Sequence, residues 1–119
     1  MPNTSDRREA VIHFVEEQDG PSERELKSAL CRLFAKGSSA RRAYLVKVRY
    51  GDEDVVNVAL AIVAAPASQE LVAAVQGVFH AMFGTGQHLD ILFASPTQEA
   101  EISSVCRPFF EVGSVANVM

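Results

Sequence analysis

The sequence predicts an α+β fold, a two-layer sandwich of ferredoxin-like type with two helices on one face of an antiparallel sheet. Apolar residues recur at helical spacing in two segments, Leu26 to Phe34 and Leu71 to Phe83. Short β-branched runs lie before, between and after them, at 11–15, 44–50, 55–65 and 89–94. The resulting order is β-α-β-β-α-β, followed by a short helix and an extended segment. The chain has 119 residues, 48% of them apolar, which suits one domain with a real core rather than a disordered polymer.

Residues 1–8 are polar and charged and read as a tail, with the domain over 9–111 and a second tail over 112–119. The run Val11 to Val15 is short and mostly β-branched, so a strand is favoured over a helix spanning 6–17. Gln18-Asp-Gly-Pro21 breaks the chain. Ser22 and Glu25 match a capping box for the first helix. Leu26, Ala29, Leu30, Leu33 and Phe34 form its stripe, and Lys36-Gly37 ends it. Strand 41–50 alternates imperfectly. Gly51 to Asp54 is a turn, and Val55 to Ala65 returns as the second arm of a hairpin. Ser68 caps the next helix, whose stripe is Leu71, Val72, Val75, Val78, Phe79, Met82 and Phe83. Gly84-Thr-Gly86 closes it. Strand 89–94, a weak helix over 98–105 and an extended piece, 107–111, complete the domain.

Composition excludes several functions. The net charge is −4, which argues against a nucleic-acid footprint. The longest apolar run, Val58 to Ala67, is too short to span a membrane, and the N-terminus has no apolar signal region. No membrane role and a cytoplasmic location are therefore expected, with Cys31 and Cys106 as free thiols. The three histidines show no metal-ligand spacing, so neither metal nor cofactor is expected. Gly84-Thr-Gly86 follows a helix, the reverse of a phosphate-binding loop. Asp52-Glu-Asp54 reads as a solvated hairpin tip and His80 as a surface residue.

Few residues carry candidate chemistry. His88 and Asp90 can share a strand face, giving one histidine–carboxylate dyad. Cys106 adjoins Arg107, a cation able to lower a thiol pKa, although a packed apolar thiol is the plainer reading. Arg41, Arg42, Lys47 and Arg49 form a basic stripe whose ordinary role is protection of an edge strand. Its functional role would be pairing with a carboxylate, and Arg41, Arg42 and Arg49 are the candidates. Phe109 and Phe110 follow a proline and can close the core or anchor a partner.

Taken in order, Glu25-Leu-Lys-Ser-Ala-Leu30, Arg41-Arg-Ala-Tyr-Leu45, Leu89-Asp-Ile-Leu-Phe93 and Arg107-Pro-Phe-Phe110 resemble the C-terminal domain of the bacterial enhanced serine sensitivity proteins. The likeness covers roughly 10–111. Two positions depart from the family pattern: Ala40 to Arg42 replaces a hydrophobic lead-in, and Phe110 replaces a closing tyrosine. The resemblance implies a phenotype of altered serine sensitivity. It brings no catalytic residue that could be carried over, and a site using the tyrosine hydroxyl would lack that hydroxyl here.

Three functional readings follow. The favoured one is a non-catalytic binding or regulatory module acting through a protein partner or self-association, with strand 41–50 or segment 107–111 adding to a partner sheet. The alternative is a sensor of a small carboxylate such as an amino acid. An enzyme using His88, Asp90 and Cys106 comes last.

Overall fold

The computed structural model describes residues 12–112. Strand β1 (Ile12–Glu17) leads into helix α1 (Pro21–Phe34). Strands β2 (Ala40–Tyr50) and β3 (Asn57–Ala64) form the hairpin. Helix α2 (Gln69–Phe83), strand β4 (Asp90–Phe93), helix α3 (Pro96–Ser103) and strand β5 (Phe110–Glu111) follow. Every element expected from the sequence is present, and the 12–17 region is a strand. Of the expected tails over 1–8 and 112–119, all but Val112 lies outside the described residues.

The sheet corrects the expectation of an antiparallel, ferredoxin-like layer. Its order is β1-β2-β3-β4, with β5 also on β2. β3 and β4 run parallel as direct neighbours, Ala59 beside Asp90 and Ile62 beside Phe93. A ferredoxin-like sheet instead splits its parallel pair with an intervening strand. The helices account for the difference. α2 carries the chain back along the sheet, so β4 starts at the same end as β3. α1 starts where β1 ends, at the level of Val46, and finishes beside Phe110, which faces Ala43. The chain therefore does not return before β2 begins, and β1 and β2 are antiparallel.

Strand β2 corrects a second expectation. It is central rather than an edge. β3 pairs along one side of it from Ala40 to Val48. On the other side β1 pairs with Val46 to Tyr50, and β5 with Arg42 and Ala43. The Leu45 carbonyl between them accepts the Gln18 amide at 3.0 Å. Phe109 N–H donates to Ala43 O, and Val112 N–H to Arg41 O. An eleven-residue strand is thus completed by two shorter segments laid end to end.

Both faces of the sheet are covered. On one, Leu26, Leu30 and Phe34 of α1 and Leu71, Val75 and Phe79 of α2 pack on Ala43, Leu45, Leu60 and Ile62. The expected pairing of two helices on one face holds. On the other, Ile102 of α3 and Cys106 pack with Tyr44, Val46, Val48, Ala59 and Ala61. This second layer explains why β3 reads as a nearly continuous apolar run and why the alternation of β2 is imperfect. Met82, expected in the stripe of α2, is 38% exposed.

Helix ends differ in one respect. α1 begins at Pro21 with Gly20 as its N-cap and has no side-chain cap. Proline fixes φ for the first helical residue and needs no partner for a missing N–H, so the helix starts one residue before Ser22. The capping box expected there belongs instead to α3. Ser95 Oγ accepts the Gln98 amide at 3.1 Å, and Gln98 Oε1 accepts the Ser95 amide at 2.9 Å. Ser68 caps α2 as expected, accepting from Leu71 N–H at 3.2 Å.

Candidate interaction surface

The candidate residues are dispersed by the fold. Arg41 is exposed beside the β2 bulge, and Arg42 is half-buried on the α3 face. Arg49 lies opposite His13, near the hairpin end. Arg49 stands seven strand steps beyond Arg42, about 23 Å at 3.3 Å per step. One small carboxylate cannot bridge them.

Arg42 is already engaged. Its Nη2 donates to Glu99 Oε1 at 3.0 Å and its Nε to Glu99 Oε2. Tyr44 O–H donates to the same Oε2 at 2.7 Å. This fork ties the first turn of α3 to β2, where the carboxylate also lies near the helix's positive end. The Arg42 guanidinium, followed by the Tyr44 hydroxyl, holds the Glu99 carboxyl below its ordinary range, against a smaller opposing effect of burial. Burial, then the bond to Glu99, pushes Tyr44 up to about 12. Nothing in the sequence around Glu99 marks it. Its partners stand 57 and 55 residues away, so no local spacing could signal it.

Phe109 and Phe110 come together, both half-buried, around Phe34 at the end of α1. Their ring centroids lie 6.5 and 5.3 Å from that of Phe34. Phe109 O accepts the Cys31 thiol at 3.3 Å. The pair contributes to the first core and leaves part of each ring at the surface.

The dyad forms as the strand geometry suggested. His88 Nε2 lies 2.5 Å from Asp90 Oδ1, and Tyr50 O–H donates to Asp90 Oδ2 at 2.7 Å. The imidazole is 79% exposed, so solvent screens the pair. Burial, then the Asp90 bond, pushes the Tyr50 hydroxyl upward. Cys106 is elsewhere. Its thiol donates to Leu45 O at 3.4 Å, on the side of β2 away from β3. β4 stands two strand spacings from β2 in the opposite direction, about 10 Å. Burial, with Glu17 adding to it, pushes this thiol up to about 11, so Arg107 does not activate it. The three residues of the enzyme reading are therefore not assembled.

A cavity of about 180 Å³ opens beside His88, floored by Leu26, Leu45, Phe79 and Leu89. Metabolite pockets are commonly larger, some 300 Å³ and upward.

A match between the chain and a family model spans residues 12–111, the SseB protein C-terminal domain. The chain belongs to that family. The match runs from the first residue of β1 to the last of β5. The SseB C-terminal domain in this chain is thus the whole described sheet with its three helices, and the resemblance read from the sequence is correct. No curated protein and no solved structure matches the chain. No helix among the described residues is long and apolar enough to cross a membrane.

Proposed function

We propose that this SseB C-terminal domain is a non-catalytic binding module that works by protein association, with a partner or with itself. The observation that carries the reading is the sheet. Its order ends on one side at β4, a four-residue strand rich in large apolar side chains. Such an edge offers backbone donors and acceptors to an added strand. The partly exposed rings of Phe109 and Phe110 supply a second surface on the opposite margin. The small-carboxylate reading draws less support, because Arg42 is committed to Glu99 and stands far from Arg49. A cytoplasmic setting and an absence of nucleic-acid partners remain part of the proposal, on charge and composition.

The test is the molar mass of the purified chain over a wide concentration range, with tagged chain used for capture from native lysate. A defined oligomer or one stoichiometric partner is the expected result. A monomer at every concentration that recovers no stoichiometric partner overturns the reading.

A further inference from the structure

The two margins of the sheet are built differently. At the β1 margin the ladder is interrupted by a bulge between Phe14 and Glu16. The strand also carries Glu16 and Glu17, ion-paired to Lys47 and Lys27. Bulges and charges of this kind hinder strand addition. β5, on the same margin, is two residues long. At the other margin β4 reads Asp90-Ile91-Leu92-Phe93, with no bulge in its ladder and no charge after its first residue. All four side chains are half-buried.

The backbone of β4 can be assigned by alternation. Ala94 N–H donates to Ile62 O at 2.9 Å, toward β3. Leu92, two residues earlier, presents its N–H and C=O in the same direction. The N–H and C=O of Ile91 and Phe93 therefore point outward, away from the sheet. Neither neighbouring helix is in the way, because α2 packs on one face and α3 crosses the other to place Ile102 against Tyr44 and Val46. The ends of the described segment, Ile12 and Val112, lie at the far margin, about 14 Å away across three strand spacings.

We propose that the outer edge of β4 pairs antiparallel with β4 of a second copy about a two-fold axis at Leu92, joining the two sheets into one. This rests on the association reading above and names its surface. The register follows from the outward groups. Ile91 faces Phe93 of the second copy, and Phe93 faces its Ile91. Each pair exchanges two N–H···O bonds, so four bonds use all the outward groups of both strands. Leu92 then meets Leu92, and Asp90 meets Ala94. No charge faces a like charge, and Ile91, Leu92 and Phe93 all meet large apolar residues, so the edge is complementary to itself. A two-fold interface needs this property, because the same patch serves both subunits.

The first experiment needs no substitution. Amide exchange of the intact chain is followed by NMR at low and high protein concentration, beside its molar mass. The expected result is dimerisation with the Ile91 and Phe93 amides slowed by about tenfold or more at high concentration, and the exposed amides of the 51–56 loop unchanged. Association without slowing at Ile91 and Phe93 overturns this proposal and leaves the association reading standing on another surface. A strict monomer overturns this proposal, and the association reading then depends on capture of a stoichiometric partner. Leu92→Lys and Leu92→Glu are the second arm, with folding checked by melting. Each variant alone should be monomeric, because like charges meet on the axis, and an equimolar mixture should recover a mixed dimer. Folded variants that dimerise separately as well as wild type would contradict the register.

Discussion

Glu99 gathers three donor bonds from two side chains and is the chief polar link between α3 and the sheet. Removing its charge takes the principal counter-ion from the half-buried Arg42 guanidinium and leaves only the weaker influence of Glu111. Glu99→Gln should cost about 1–2 kcal/mol, read as a lower urea midpoint with an unchanged slope. The pH dependence has a defined sign. The folded-state pKa of Glu99 is depressed below its ordinary 4.5, so its contribution is present above that value. It is lost as pH falls further, through the depressed value. The stability gap between wild type and Glu99→Gln should therefore shrink as the medium is acidified below the ordinary carboxylate range. A constant gap would mean that the charge is not what Glu99 contributes. The thiols give a second prediction. Burial pushes both Cys31 and Cys106 upward, so at neutral pH a thiol reagent should label the native chain far more slowly than the urea-unfolded chain. Residues of this kind were only partly legible beforehand. His88 and Asp90 are two apart on an extended segment, and period-two geometry alone puts them together. Arg42 and Glu99 meet only through tertiary folding.

At the scale of elements, α3 depends on its ends. It has eight residues and buries one, Ile102. Helices this short are marginal without capping and tertiary support. Ser95→Ala removes one half of the capping box and should cost about 1 kcal/mol, lowering the melting temperature by some 4–8 °C for a domain of this size. No measurable change would place the stability of α3 in Ile102 and Glu99 alone. Element identity was largely legible because periodicity differs between helix and strand. Ser68 also announced α2 correctly. The N-cap of α1 lies two residues before the Ser22 that the capping-box spacing points to, because Pro21 outweighs Ser22 as an initiator. Helix α3 has a weak sequence signature, and the proline between Ser95 and Gln98 obscures its capping box. Arg41, Arg42, Lys47 and Arg49 look like edge protection and so suggest an edge position for β2. In the fold these charges sit at a bulge, in the Glu99 fork, in the Glu16 pair and near the hairpin end, and the strand is central.

At the scale of the whole molecule, the sheet order was the least legible feature. The same β-α-β-β-α-β string is compatible with a split or an unsplit parallel pair, and only the course of α1 and α2 decides between them. The second core layer, with α3 on the opposite face, was likewise not announced by any single segment. The closing aromatic pair belongs to this scale, since it fastens the last strand to the first helix. Phe110→Ala should destabilise the half-buried cluster around Phe34 by about 2 kcal/mol, and a folded Phe110→Ala chain that loses association would place that surface in the interface. The measurement that tests the account most directly is the molar mass of the intact chain by sedimentation equilibrium, from micromolar to near-millimolar concentration. The account predicts a reversible rise from one chain toward two. A single-chain mass throughout, in a sample that also captures no stoichiometric partner, would contradict it.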